Sequence, residues 1–336
     1  MTEELRYINP WGMWVDAKVT PRGEAFALPG LPLRARPLWL ESEAEGDCEV
    51  LQITVGDQDR RRAYDLLDNE ILAGLRLVWL VGSGPYPDGL SRLRGYVHDT
   101  PEPFALVHRY RGDPVGAHAS QLLTADRRAF QVSLMTALRW LAAAGIAHRG
   151  ISPDTVRWDH TSIQITNFAL ATIVGTPRTV AGHPPWAAPE QRSGPLVRGV
   201  VTDRDDVWAA GRLLYYTWTQ EELTSRDQLA RAPELVELLA GVFDAPENRP
   251  TARELLVERL RVPDCVPRGL DADPLAEGRE SFHSYRRRKH PEVDPPVRPL
   301  ARPIVTPQPP APVRRVWPWM FGVVLVLAVV IYLVSR

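Results

Sequence analysis

His148-Arg149-Gly150-Ile151-Ser152-Pro153-Asp154-Thr155 decides the fold of this chain. It follows a stretch in which Phe130, Leu134, Leu138 and Leu141 recur at helical spacing and stop at Gly145. Downstream, in order, come Ile165-Thr166-Asn167-Phe168-Ala169-Leu170-Ala171, the segment Gly182-His183-Pro184-Pro185-Trp186-Ala187-Ala188-Pro189-Glu190, Asp205-Asp206-Val207-Trp208-Ala209-Ala210-Gly211 and Asn248-Arg249-Pro250-Thr251. Helical spacing returns over 207–218 and 235–242. Upstream the signal is β-rich. Residues 40–55 read as two apolar runs around an acidic turn, a helix is expected over about 58–77, and strands near 93–97 and 104–110.

The five ordered stretches resemble the protein-kinase family. Residues 148–155 look like the catalytic loop H-R-D-L-x-x-x-N, and 165–171 like the metal-binding D-F-G strand. Residues 182–190 are similar to the stretch ending at A-P-E, 205–211 to the start of the buried helix that follows, and 248–251 to the late arginine motif. Glu70 is placed like the helix glutamate that pairs with a strand lysine. The resemblance implies an α+β, two-lobed fold with a small β-rich lobe and a larger helical lobe, assigned to residues 41–262. Residues 1–40 match none of these motifs and are expected to form an N-terminal extension.

Phosphoryl transfer needs positioning and charge neutralisation from a short set of groups, and the matching positions lack them. Gly150 stands where the family has its catalytic Asp. Thr155 and Asn167 replace the two magnesium ligands, leaving a hydroxyl and an amide to coordinate weakly without a carboxylate. Ser152 replaces the lysine two residues beyond the catalytic Asp, and Ala169 the glycine of D-F-G. The strand before the Glu70 helix offers Gln52 or Thr54 at the lysine position, with no G-x-G-x-x-G ahead of it. Of 40 Lys plus Arg, only Lys18 and Lys289 are lysines, and Lys18 lies 52 residues before Glu70. The guanidinium groups of Arg60, Arg61 and Arg62 could reach a phosphate or stay solvated. The family's packing residues are retained: His148 and Phe168, Glu190 with Arg249, and Asp206. That combination implies a pseudokinase acting as a protein-binding scaffold or regulator, with no cofactor required. Weak or metal-independent ATP binding, or an atypical kinase using Asp154, Asp159 or Glu70, is the alternative. Thr172, Thr176 and Thr179 are candidates for modification next to Arg149.

The 336 residues carry 44% hydrophobic content and a formal net charge of −1, which conceals an uneven distribution. Residues 284–316 hold eight Arg/Lys and two Asp/Glu, for +6, while 1–283 carry −8. Nine prolines from Pro291 to Pro312 mark residues 263–316 as a basic, extended linker. Beyond it, the run bounded by Trp317 and Val334 contains no charge, and 18 residues span about 27 Å as a helix. Trp317, Trp319 and Tyr332 sit at its ends, as interfacial aromatics do. Residues 317–334 are therefore expected to cross the membrane once, with the positive-inside bias of Arg314 and Arg315 placing the N-terminal domain in the cytoplasm. The layout is similar to that of bacterial transmembrane Ser/Thr kinases. The run Arg286 to Lys289 reads equally as a solvated stretch or as a contact with anionic lipids. Cytoplasmic or membrane proteins are the expected partners. Nucleic acid is not, because the basic linker lacks interleaved aromatics apart from Tyr285. Two cysteines, Cys48 and Cys265, exclude a disulfide framework.

Overall fold

The structure, a computed structural model, describes residues 2–56, 58–98, 100–118, 124–192 and 199–267. All lie in the first of two compact units, residues 1–274, the second being 275–336. The basic run from Arg286 and the uncharged segment 317–334 are outside the described residues. Among those described, no helix is long and apolar enough to cross a membrane.

The N-terminal part is a seven-stranded sheet that curls on itself. Its strands are β1 (Glu3–Ile8), β2 (Trp14–Pro21), β3 (Phe26–Ala27), β4 (Leu33–Glu41), β5 (Cys48–Val55), β6 (Leu93–Val97) and β7 (Phe104–His108). They run in the order β2-β1-β6-β7-β5-β4-β3, and β2 also pairs with β4, closing a ring. Side chains alternate across each strand. In β4 and β5, Leu38, Leu40 and Val50 face the interior of the ring with Tyr7, Val15 and Val19. The alternate positions Leu33, Ala35, Leu51 and Ile53 face outward, against α1 (Arg60–Val81) through Leu66, Leu67 and Ile71.

Residues 1–40, expected as a separate extension, supply β1, β2, β3 and nearly all of β4 to this sheet, so the boundary at 41 cuts through a single folded unit. These strands carry no kinase motif, and it is their pairing with the later strands that places them in the sheet. The closure depends on Gly95, where an added β-carbon would lie 2.2 Å from the buried Tyr7 ring.

The remainder is mainly helical. After β8 (Asp113–Pro114) and the single turn α2 (Val115–His118), α3 (Thr124–Ala143) buries Phe130, Leu134, Leu138 and Leu141 against α4 (Arg204–Thr219). The short strands β9 (Ile146–Ala147), β10 (Val156–Trp158), β11 (Ile163–Ile165) and β12 (Thr172–Ile173) frame the loop at 148–155. The helix expected over 235–242 is only the turn α5 (Pro233–Val236), continued by tight turns that bury Leu235, Leu239 and Val242. The last helical stretch is α6 (Ala252–Glu254), extended by the turn Leu255–Arg259. Packing continues past the expected end at 262: Arg139 donates to both Asp264 oxygens at 3.0 Å, and Val266 is buried.

Candidate functional site

His148 and Arg149 are held by a buried carboxylate on α4. Asp206 Oδ2 accepts from His148 N at 2.6 Å and Oδ1 from Arg149 N at 2.7 Å. Two such bonds pin Arg149 in the left-handed region, at φ 63°. Burial nonetheless pushes the Asp206 carboxyl up to about 7, against the pull of the two N–H donors. The His148 ring is fully buried. Its Nε2 donates to the Thr166 carbonyl at 3.1 Å and its Nδ1 accepts from Gly150 N at 3.2 Å, and it meets Phe168 edge-on at 5.3 Å. Burial lowers its pKa to about 4, so it stays neutral and serves packing.

The residues at the catalytic positions are engaged in bracing the loop. Thr155 Oγ1 donates to the Gly150 carbonyl at 2.8 Å and accepts from Ser152 N at 3.0 Å. Ser152 Oγ accepts from Asp154 N at 3.3 Å. Asn167 adopts φ 65°, and its Oδ1 is buried without a hydrogen-bond partner. Gly150 leaves room that Leu170 takes, a β-carbon there falling 3.2 Å from Leu170 Cδ1. Among the described residues, no group of three His, Cys, Asp or Glu is placed to hold a metal ion.

Strand alternation corrects the lysine position. Thr54 and Gln52 share the face of Val50, away from α1, whereas Ile53 is fully buried against the helix that carries Glu70. The β5 face turned to α1 is thus apolar at Leu51 and Ile53, and none of the ion pairs among the described residues involves Glu70. Its carboxyl faces the Phe168 and Ala169 amides, though without well-aligned hydrogen bonds, and burial pushes its pKa up to about 8. Asn69 Nδ2 adds a bond to the Ala169 carbonyl at 3.0 Å. Arg76, buried on α1, donates twice to the Ala144 carbonyl at 3.0 and 2.9 Å, tying the helix to the end of α3.

The turn at 28–32, between β3 and β4, closes over these groups. Leu28 and Leu31 join the apolar cluster of Ile53, Ile71 and Ala169, with Leu170 packed against it. Burying one such leucine contributes about 1.5–3 kcal/mol. Gly30, at φ 69°, sits so near His183 that a β-carbon would come within 2.8 Å of the imidazole. Beneath the turn remains a cavity of about 30 Å³ lined by Pro29, Leu31, Gly150, Ser152, Asp154, Thr155, Asn167, Leu170 and His183. That volume suits a water; drug-sized ligands occupy pockets of roughly 300–1,000 Å³. The turn's sequence, Leu28-Pro29-Gly30-Leu31-Pro32, has one glycine and two prolines, in keeping with the absence of a G-x-G-x-x-G ahead of β5.

The packing residues form buried pairs. Arg249 Nη1 and Nη2 both bond the Glu190 carboxylate, the second at 2.9 Å, and the guanidinium lies 4.8 Å from the Trp208 ring centroid. A second pair was not foreseen. Arg178 Nη2 meets Asp205 Oδ1 at 2.8 Å, fastening residues 172–179 to α4. Thr179 is exposed, and its carbonyl and hydroxyl accept from Arg149 Nη2 at 2.5 and 3.0 Å. Thr172 and Thr176 hydroxyls lie 3.3 Å apart.

No family model matches the chain. Among curated proteins it is similar to serine/threonine-protein kinase RAD53 of Saccharomyces cerevisiae, at 27% identity over 149 residues, which are 39% of this chain and 18% of that protein. It is also similar to CBL-interacting protein kinase 4 of Oryza sativa subsp. japonica, at 33% over 99 residues, 27% of this chain and 21% of the relative. Serine/threonine-protein kinase DCLK2 of Mus musculus matches at 30% over 148 residues, 41% and 19%. The chain spans only about a fifth of the length of these relatives. The distant homologues are eukaryotic Ser/Thr protein kinases, and together with the β-rich and helical parts they support a relationship to the protein kinase superfamily.

Proposed function

We propose that this chain is a kinase-fold binding module that does not transfer phosphate. The observation that carries this is the closed site: Ile53 is buried on the β5 face turned to α1, Gly150, Thr155 and Asn167 stand at the base and metal positions, and Leu31 shares an apolar cluster with Ala169. A phosphate with its counterions would have to displace that cluster. The rigid surface left around it suits docking of cytoplasmic or membrane proteins. The uncharged run 317–334 and the basic residues before it support anchoring by a single span.

Phosphotransfer is the competing function, favoured by the names of the relatives. Incubating the full chain with radiolabelled ATP and Mg²⁺ or Mn²⁺ separates the two. No label above a boiled control is expected, and robust labelling overturns the binding-module function. Millimolar ATP in EDTA should also leave the melting temperature unchanged, since a ligand binding the native state would raise it. Resistance of the chain to carbonate extraction from membranes tests the span.

A further inference from the structure

The β1–β2 hairpin ends in a tip whose side chains are apolar and whose backbone N–H groups are already paired. Trp11, Met13 and Trp14 are 56%, 59% and 54% exposed, and Trp79 at the end of α1 is 47% exposed. Among the described residues, these four exposed apolar side chains gather around the hairpin tip. The tip is built around Asn9, which is buried. Its Oδ1 accepts from Trp11 N at 3.1 Å and Met13 N at 2.9 Å, its carbonyl accepts from Gly12 N, and its own N–H donates to the Met13 carbonyl. Asn9 Nδ2 is held in turn by Glu45 at 2.8 Å. Pro10 has no N–H, and its carbonyl accepts from Trp79 Nε1 at 2.7 Å.

From this geometry we infer that the tip is a membrane-contacting wedge that seats Trp11, Met13 and Trp14 in a zwitterionic lipid surface. Leaving water costs a peptide group dearly unless its hydrogen bonds are made internally, and every N–H from Asn9 to Met13 is so paired. Indole rings favour the headgroup boundary, where an apolar body and a polar edge are both accommodated. Because Asn9 and Glu45 hold the tip rigid, little ordering entropy opposes contact. The charge beside it selects the lipid. The groove along the hairpin carries Glu4, Asp16, Glu41, Glu43 and Asp47 against Arg6 and Lys18, a net acidic flank that repels anionic headgroups. The tether that keeps the tip near a bilayer is the span proposed for residues 317–334, and on that proposal this inference rests for its local concentration.

The experiment uses the full chain with Cys48→Ala and Cys265→Ala, reconstituted in phosphatidylcholine vesicles containing doxyl-labelled lipid. An environment-sensitive dye is attached through Trp11→Cys or, as control, through Val236→Cys at another exposed position. Quenching several-fold stronger at 11 than at 236, unimproved by phosphatidylserine, is the expected result. Equal quenching at both positions in chain that resists carbonate overturns the wedge and leaves the span standing. Cross-linking of copies through residue 11 without lipid quenching overturns it in favour of self-association. If carbonate extracts the chain, the span fails. The wedge then survives only if unlabelled protein still floats with the vesicles and Trp11→Ser/Met13→Ser abolishes flotation.

Discussion

Leu170 occupies the space in front of Gly150: a β-carbon on Gly150 would lie 3.2 Å from Leu170 Cδ1 and 3.6 Å from the His148 ring. Restoring the missing side chains one by one therefore meets a filled site. Overpacking such a position costs about 1–3 kcal/mol. If the binding-module function proposed above holds, the combined variant Gly150→Asp, Thr155→Asn, Asn167→Asp shows no phosphotransfer, since Ile53 and Leu31 keep their places in the apolar cluster. Incorporation of label from ATP by this variant would show the cleft to be open.

The Glu190–Arg249 pair is buried on both sides and bidentate. Removing one partner strands the other charge, so Arg249→Ala or Glu190→Ala should lower stability by about 3–5 kcal/mol. Arg249→Ala also loses the contact with Trp208. Urea denaturation of each variant measures this, and a loss below about 1 kcal/mol would place the pair among solvent-screened bridges.

Glu70 gives a pH signature. Its carboxyl ordinarily titrates near 4.5 and is raised to about 8 in the folded protein. The native state therefore binds more protons than the unfolded state between these values, and the stability linked to Glu70 falls as pH rises from about 4.5 to 8. Glu70→Gln removes this contribution and leaves the parallel one of Asp206, raised by burial to about 7, so the profile becomes shallower and the variant is more stable than wild type at pH 8. His148 acts oppositely: with its pKa lowered from 6.5 to about 4, the stability it contributes is lost as pH falls through that window. Melting temperatures of wild type and Glu70→Gln across pH 4 to 9 separate the two groups.

Gly95 tests whether the first strands belong to the domain. An alanine there would press its β-carbon into the Tyr7 ring and to within 2.9 Å of the Ile8 carbonyl. Gly95→Ala is expected to loosen β1 and β2 before the helical part. Faster amide exchange over residues 3–21, with α3 still protected, is the result that supports it. Unchanged exchange there would mean the ring does not depend on this contact.

Sequence alone determined the ordered kinase-like stretches and the substitutions within them. Both are one-dimensional facts: Gly150 has no carboxylate in any conformation, and no lysine lies near the Glu70 helix. Helical spacing also marked Phe130, Leu134, Leu138 and Leu141, because a 3.6-residue period is written locally. Which face of β5 packs on α1 was not local. Thr54 and Ile53 are adjacent, and only the pairing of β5 with β4 and β7 and its packing on α1 decides which points at the helix. The fate of residues 1–40 was likewise set by β2 pairing at once with β1 and β4, contacts between strands whose sequences carry no shared signal. The closing of the cleft by Leu31 over Ala169 and Leu170 joins residues about 140 positions apart. Such contacts arise from shape and burial, which chain order does not encode residue by residue, so the tertiary structure alone turned a list of missing catalytic groups into a filled site.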